Sequence, residues 1–303
     1  MSEYDYIVIG GGSAGSIVAA ELAANPSHSV LLLEAGDSAD KNPETLTADG
    51  YKQAFVNERL MYERFSVPQA GCDGRRLFMG SGRGIGGSGA INAMVYTRGA
   101  KLDYDEWPEG WRWDDITPDF ERLEQRLRVR RRTATEFTEM CIHASTQAGF
   151  RRKDDLNDGD LSGVLGYEWM SYEGDHRRSS FAAFLRERLG APNLRVATGA
   201  RAHRIVFDGV RATGVAYERE GALTTAHASR EVIVAAGAIE TPRLLMLSGV
   251  GPSETLRAAG LPVVADVPAI GQNFHDHPNV QVFFMTLAKC RKMNLNYRML
   301  FLE

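Results

Sequence analysis

Three glycines and one carboxylate near the start of the chain have the types and spacing of a dinucleotide-binding site. Gly10, Gly12 and Gly15 fit the pattern G-x-G-x-x-G, and Glu34 follows Gly15 by 19 residues. In this pattern the first glycine allows a tight turn, the second lets the backbone approach a pyrophosphate, and the third lets a helix pack closely on a strand. The carboxylate can accept hydrogen bonds from ribose hydroxyls and repels a 2′-phosphate. The pattern therefore predicts FAD or NAD rather than NADP, and does not separate the first two.

The elements that must position these residues form a strand–helix–strand unit. Residues 4–10 and 29–34 are apolar runs typical of buried strands, and residues 14–24 between them have helical character. The N-terminus of such a helix presents unpaired N–H groups and a partial positive charge to phosphates. An ordinary βαβ turn without a ligand is the alternative, and the position of Glu34 argues against it.

A second glycine cluster spans residues 80–99 and contains seven glycines. This content disfavours a helix or strand interior and suits a backbone that wraps closely around a flat ligand. A mobile surface loop is the alternative. The apolar residues Ile91, Met94 and Val95 argue against it, because a solvated loop does not need them.

These segments resemble the glucose–methanol–choline (GMC) family of flavoenzymes, in particular its choline dehydrogenase and alcohol dehydrogenase branch. The second glycine cluster is similar to the first signature of that family. Further segments are similar to sequences of the family and occur in the same order as in the family. These segments are Arg98-Gly99, residues 103–107 (DYDEW), residues 110–120, residues 237–252 and residues 271–278.

The resemblance implies that the cofactor is FAD. It places the pyrophosphate at the first glycine cluster, the ribose at Glu34, the flavin beside the second cluster and adenine near the Ala202 backbone. The expected cofactor-binding residues are Gly10, Gly12, Ser13, Ala14, Gly15, Glu34, Ala35, Gly86, Gly87, Ser88, Asn92, Ala93, Met94, Val95, Ala202, Ala236 and Gly237. Some members of the family attach FAD covalently through a histidine at the position of Ile91, so noncovalent FAD is expected here.

The resemblance also implies a reaction, the oxidation of the CH–OH group of a small-molecule alcohol. A base takes the hydroxyl proton while hydride moves to flavin N5. The family's histidine base lies in a C-terminal segment that we expect to fall beyond this chain, so no catalytic residue is assigned. An FAD-binding remnant without activity is the alternative. An NAD-binding module of another enzyme class is disfavoured by the second glycine cluster and residues 271–278. The sequence does not specify the electron acceptor.

The composition of the chain argues against several other classes of protein. With 44% apolar and 24% charged residues, the chain is typical of a globular protein, and it has no long apolar run that would predict a membrane span. A pI near 6.0 disfavours nucleic-acid binding, and the arginines of residues 121–132 are expected to lie on a solvated helix face rather than to form a polyanion site. Three separated cysteines favour a reducing, cytoplasmic setting. No metal site is predicted, because His275-Asp276-His277 is too compact for a tetrahedral ligand set.

The predicted fold class is α/β, with a Rossmann-like FAD-binding domain that contains a parallel sheet and a β-meander, and an incomplete α+β substrate domain. Residues 1–105 and 193–272 are expected to form the first, and residues 106–192 and 273–303 a partial substrate or cap region. Within these regions we expect a helix to start at Thr117-Pro118. We expect the last strand of the meander over residues 224–228 and a separate buried strand over residues 231–236.

Overall fold

The structure of the protein, a computed structural model, describes residues 2–277. Most of the predicted segment 273–303 therefore lies outside the described residues. The strands are β1 Ser2–Ile9, β2 Val30–Leu33, β3 Met61–Tyr62, β4 Ser81–Gly82, β5 Val95–Tyr96, β6 Arg130–Arg131, β7 Arg151–Arg152, β8 Val164–Leu165, β9 Trp169–Met170, β10 Tyr172–Glu173, β11 His176–Arg177, β12 Leu194–Ala197, β13 Ala200–Asp208, β14 Arg211–Arg219, β15 Ala222–Val234, β16 Val250–Gly251 and β17 Ala265–Asp266.

Helices alternate with these strands. The α-helices are α1 Ser13–Leu22, α2 Tyr51–Phe55, α3 Ser88–Ile91, α4 Lys101–Asp105, α5 Trp113–Leu127, α6 Glu136–Gln147, α7 Gly237–Leu247 and α8 Ser253–Ala258. One π-helical turn, Phe181–Leu185, precedes β12.

The central six-stranded sheet has the order β12-β2-β1-β15-β14-β13. The strands β12, β2, β1 and the C-terminal part of β15 run parallel, whereas β15, β14 and β13 form an antiparallel meander. Segments 2–33 and 194–234, far apart in the sequence, thus share one sheet, and the fold is mixed α/β as predicted. The division into two domains stays a prediction.

Two hydrophobic layers cover the parallel strands. Val8, Val30 and Leu32 face α1 and the π-helical turn, while their neighbours Ile7 and Leu31 face the layer that includes α7. All four residues of β2 are buried, because both faces of a parallel sheet are covered by other elements. These strands are apolar runs in the sequence because both of their faces are buried.

Two local predictions were wrong. The helix α5 begins at Trp113, because the Asp115 carboxylate accepts hydrogen bonds from the backbone N–H groups of Gly110 (3.0 Å) and Arg112 (3.1 Å) and so closes an earlier first turn. Pro118 consequently lies inside the helix. The last strand expected in the meander and the separate strand expected after it are one strand, β15, which pairs with β14 through its first half and with β1 through its second.

The contact between α1 and β1 generates a stability prediction. A Cβ atom on Gly15 would lie 1.8 Å from the carbonyl oxygen of Gly10, so Gly15→Ala must push the helix away from the strand. Overpacking of this kind costs about 1–3 kcal/mol or more. We expect a clear loss of unfolding free energy in urea, whereas the control Gly71→Ala, whose Cβ meets nothing within 4 Å, changes little. Equal stability of the two variants would contradict the packing described here.

Candidate functional site: a glycine-walled cavity at the sheet edge

A cavity of about 660 Å3 opens at the carboxyl ends of β1 and β2, the edge at which open α/β sheets bind ligands. Its volume is in the range of small-molecule and cofactor sites. Ile9 and Leu33, the last residues of the two strands, form part of its floor. Eleven of the predicted site residues line it, namely Gly10, Gly12, Ser13, Ala14, Glu34, Ala35, Gly87, Ser88, Ala202, Ala236 and Gly237.

The first and third glycines of the G-x-G-x-x-G pattern are required by the fold itself. Gly10 has φ +99°, and a Cβ there would lie 2.5 Å from the carbonyl oxygen of Ala235. Gly15 is buried behind the cavity wall, where its missing side chain lets α1 approach Gly10. These two positions would need glycine whether or not the cavity held a ligand.

Gly12 is different, because no feature of the fold requires glycine there. Its backbone is extended (φ −72°, ψ −162°), and a Cβ would meet only the Cα atom of Gly87, at 3.8 Å. That Cβ would stand on the wall of the cavity. A glycine with room for a side chain is expected where a ligand must touch the backbone. The cavity therefore fits a dinucleotide whose pyrophosphate passes over Gly12.

The N-terminus of α1 forms the wall next to Gly12. Ser13 and Ala14 line the cavity, and the first intrahelical backbone bond in this turn is donated by Ser16 to the Gly12 carbonyl. The N–H groups of residues 13–15 therefore have no helical partner, as in the first turn of any helix. Together with the helix dipole they favour a negatively charged group in the cavity.

Glu34 also has a structural role that the sequence did not indicate. Its carboxylate is buried and accepts three backbone hydrogen bonds, from Gly11 (2.7 Å), Gly36 (2.8 Å) and Gly84 (3.0 Å). A carboxylate has about four acceptor sites, so one remains for a ligand hydroxyl. Glu34 thus joins the first glycine cluster to the second, and it also lines the cavity.

The second glycine cluster packs directly on the first. The N–H of Gly86 donates to the carbonyl of Gly11 (2.7 Å), and a Cβ on Gly87 would lie 2.8 Å from the Cα atom of Gly12. Gly86 and Gly15 support the wall from behind rather than line it. The predicted residues Asn92, Ala93, Met94 and Val95 follow α3 and do not line the cavity.

Several lining residues were missed by the sequence analysis. Tyr62, at the end of β3, faces the cavity, and burial raises the pKa of its phenol, with the charge of Glu34 adding to the shift. The other missed residues include Met79, Ser81, Ala200, Arg201, Ala235, Glu240, Arg243, Phe274, His275 and Asp276. No spacing signal marks Tyr62 or Arg201, because tertiary packing alone brings them to the site.

An ion pair beside the cavity joins the segment between β3 and β4 to α7. The Arg64 guanidinium donates to Glu240 (2.7 Å) and to the Ser81 hydroxyl (2.8 Å), and Arg243 donates to the other oxygen of Glu240 (2.9 Å). The side chains of Arg64 and Glu240 are 20% and 23% exposed, so water screens this pair only in part. The pair joins segments 176 residues apart in the sequence.

Three of the four arginines that follow α5 form ion pairs with acidic residues. Arg128, Arg131 and Arg132 form ion pairs with Glu173, Asp154 and Glu168 respectively. Within residues 2–277, no group of three or more His, Cys, Asp or Glu side chains is arranged to hold a metal ion. The same residues contain no helix with the length and apolarity that a membrane crossing requires.

The fold and the cavity define a dinucleotide-binding α/β protein, and comparison with known proteins specifies the class further. The profile of the family described as GMC oxidoreductase matches residues 4–279. The chain belongs to this family, as its motifs indicated. It is 38% identical over 298 residues to a protein of Burkholderia ambifaria named oxygen-dependent choline dehydrogenase, covering 91% of this chain and 52% of that protein.

Solved structures show the same fold. Pyridoxine 4-oxidase from Mesorbium loti superimposes with a TM-score of 0.80 at 29% identity, over 88% of this chain and 55% of that enzyme. Formate oxidase gives a TM-score of 0.79 at 26% identity, over 90% of this chain and 52% of the oxidase. The chain thus spans about half the length of the relatives it matches.

The three backbone bonds of Glu34 generate the second prediction. In Glu34→Gln, the amide NH2 group must face at least one backbone N–H, so one buried donor loses its acceptor. We expect a loss of about 1–3 kcal/mol in unfolding free energy, measured in urea without any added cofactor. Glu58→Gln is the control, because Glu58 is exposed and makes no ion pair with another described residue. A Glu34→Gln protein as stable as the control would show that the carboxylate does not join the two clusters.

Proposed function

We propose that the cavity binds FAD noncovalently and that this chain is the FAD-binding part of an oxidoreductase that acts on alcohols. The observation that carries the proposal is Gly12, which lines the cavity although its backbone conformation and its neighbours leave room for a side chain. Membership of the GMC oxidoreductase family supports FAD over NAD.

The proposed arrangement follows the shape of the cavity. Gly10, Gly12, Ser13 and Ala14 would hold the pyrophosphate at the N-terminus of α1, with Gly15 behind them. Glu34 and Ala35 would face the adenosine ribose, and Ala202 the adenine. At the flavin end, Gly87, Ser88, Ala236 and Gly237 would line the cavity and Gly86 would support its wall. The resemblance alone assigns Asn92, Ala93, Met94 and Val95 to this end, because they lie outside the cavity lining.

FAD would supply a ring that accepts hydride from the alcohol carbon. The residues of this chain would bind and orient that ring and keep water from it. We assign no base to residues 2–277, because the resemblance places the family's histidine in a C-terminal segment. The alternative function is that of an FAD-binding protein without turnover of its own. We retain this alternative because the chain spans about half the length of its relatives.

Choline is the first substrate to test, since relatives at 38% identity are named choline dehydrogenases. The electron acceptor is not specified by any described residue. A cytoplasmic setting is part of the proposal, supported by Cys72 and Cys141, which are both unpaired in the part of the chain that the structure describes.

Gly12→Val tests the cofactor site. A Cβ at residue 12 would meet only the Cα atom of Gly87, at 3.8 Å. The branched side chain would fill the space proposed for the pyrophosphate, so we expect FAD affinity to fall at least 100-fold in a fluorescence titration. The melting temperature of the cofactor-free protein should change little, as for the control Gly71→Val. Unchanged FAD affinity in Gly12→Val would refute the proposed site.

Ile91 determines the mode of attachment. Its buried side chain has no nucleophilic atom at the position where some relatives carry the attaching histidine. Acid precipitation of the yellow protein should therefore release all of the flavin into the supernatant. Flavin retained in the pellet would contradict noncovalent binding.

The proposal for alcohol oxidation is tested by turnover. The 303-residue chain loaded with FAD is assayed with choline and primary alcohols and an artificial electron acceptor, beside a full-length choline dehydrogenase. Because a positioned base contributes about 10²–10⁴-fold, we expect the chain by itself to be at least 100-fold slower. Turnover within tenfold would show that one of its own residues acts as the base.

A further inference from the structure

Gly89 lies in α3, where the backbone gives no reason for a glycine. It is the second residue of the helix Ser88–Ile91, and its φ lies outside the left-handed region in which glycine is favoured. Glycine destabilises a helix relative to alanine, because it loses more conformational freedom when the chain folds. The reason for a glycine at this position is therefore to be found among its neighbours.

A single hydroxyl group occupies the space beside Gly89. A Cβ on Gly89 would lie 2.6 Å from the Oγ atom of Ser13, which is closer than van der Waals contact allows. The same Cβ would lie 3.9 Å from the Cβ atom of Ser13, which is an ordinary contact, and no third atom of the described chain outside α3 is within 4 Å of it. The missing side chain of Gly89 thus makes room for the Ser13 hydroxyl alone.

The Ser13 hydroxyl is free to bind a ligand. Ser13 is the first residue of α1, it is exposed, and it lines the cavity next to Gly12. Its hydroxyl makes no hydrogen bond to another of residues 2–277. The hydroxyl of Ser88, on the same wall, differs because it already accepts a hydrogen bond from the N–H of Gly82 (3.0 Å). An accessible hydroxyl without a partner can donate to an anionic oxygen.

The backbones on either side of this contact are fixed. The N–H of Gly86 donates to the carbonyl of Gly11 (2.7 Å), and a Cβ on Gly87 would lie 2.8 Å from the Cα atom of Gly12. The start of α3 therefore cannot withdraw from the start of α1 without breaking the contact between the two glycine clusters. A side chain at residue 89 would instead have to turn the Ser13 hydroxyl into another staggered rotamer.

We propose that Gly89 is a positioning residue, which leaves the space in which the Ser13 hydroxyl donates a hydrogen bond to the pyrophosphate of the bound cofactor. This inference rests on the proposed function, in which the N-terminus of α1 holds the pyrophosphate. A hydrogen bond to an ionised oxygen is stronger than one between neutral groups, so the orientation of this hydroxyl matters for affinity. Gly12 leaves room for the ligand, and Gly89 leaves room for a side chain that binds it.

The test is a double-mutant cycle of Ser13→Ala and Gly89→Ala, with FAD affinity measured by fluorescence titration of the cofactor-free chain. Ser13→Ala removes the hydroxyl and Gly89→Ala displaces it, so we expect FAD affinity to fall about tenfold in the first and about fivefold or more in the second. In the double variant, affinity should equal that of Ser13→Ala to within about twofold. No hydroxyl remains there to be displaced, and the Cβ atom of residue 13 lies 3.9 Å from the added methyl group.

Gly71→Ala is the matched control for the added methyl group. A Cβ on Gly71 meets nothing within 4 Å and the residue lies outside the cavity lining, so FAD affinity should not change. Urea unfolding of each cofactor-free variant shows whether it folds. If Gly89→Ala by itself does not fold, the double variant must recover the fold, because the collision disappears with the hydroxyl.

Three results would overturn the inference. They are unchanged FAD affinity in either single variant, a further loss beyond about twofold when Gly89→Ala is added to Ser13→Ala, and failure of the double variant to fold. Failure of the unsubstituted protein to bind FAD would instead refute the proposed function, so the two failures are distinguishable.

Discussion

The buried carboxylate of Glu34 is the contact on which the architecture of the site depends. Glu34 directly follows β2, and its two oxygens accept hydrogen bonds from N–H groups of the turn after β1, of the turn after β2 and of the second glycine cluster. A carboxylate that accepts several backbone hydrogen bonds is satisfied without a cationic partner. Three chain segments that are otherwise only loop backbone thereby meet at one point, and the cavity has a wall of defined shape.

The glycines around this point have different physical reasons. Gly15 is needed because a side chain there would collide with neighbouring atoms of the wall. Gly10 and Gly86 combine such a collision with a positive φ, +99° and +93°. Gly12 alone of the pattern has neither reason, and under the proposed function it is glycine because the pyrophosphate passes over its backbone. The glycines of a single sequence motif therefore have different roles: Gly10 and Gly15 are required by the fold, and Gly12 is required by the proposed ligand.

Two buried charges of opposite sign lie at the two glycine clusters, and both are stabilised chiefly by amide and peptide dipoles. Glu34 is bound by N–H groups, whereas Arg177 is bound by two carbonyls and one side-chain amide oxygen. The half-buried pair Arg64–Glu240 lies beside the cavity and is of the kind that ionic strength can weaken.

The sequence by itself determined the features that depend on local periodicity and on glycine. The βαβ unit, the parallel pairing of the apolar strands and the family could all be predicted, because burial on both faces and tight turns leave direct marks in the order of residues 4–34. Tertiary structure decided what depends on distant neighbours. Nothing near Tyr62 or Arg177 in the sequence shows that they reach the two glycine clusters, because their partners lie tens of residues away and burial is a property of the packed chain. The start of α5 was likewise decided by the carboxylate of Asp115, whose hydrogen bonds outweighed the preference of Pro118 for a first turn.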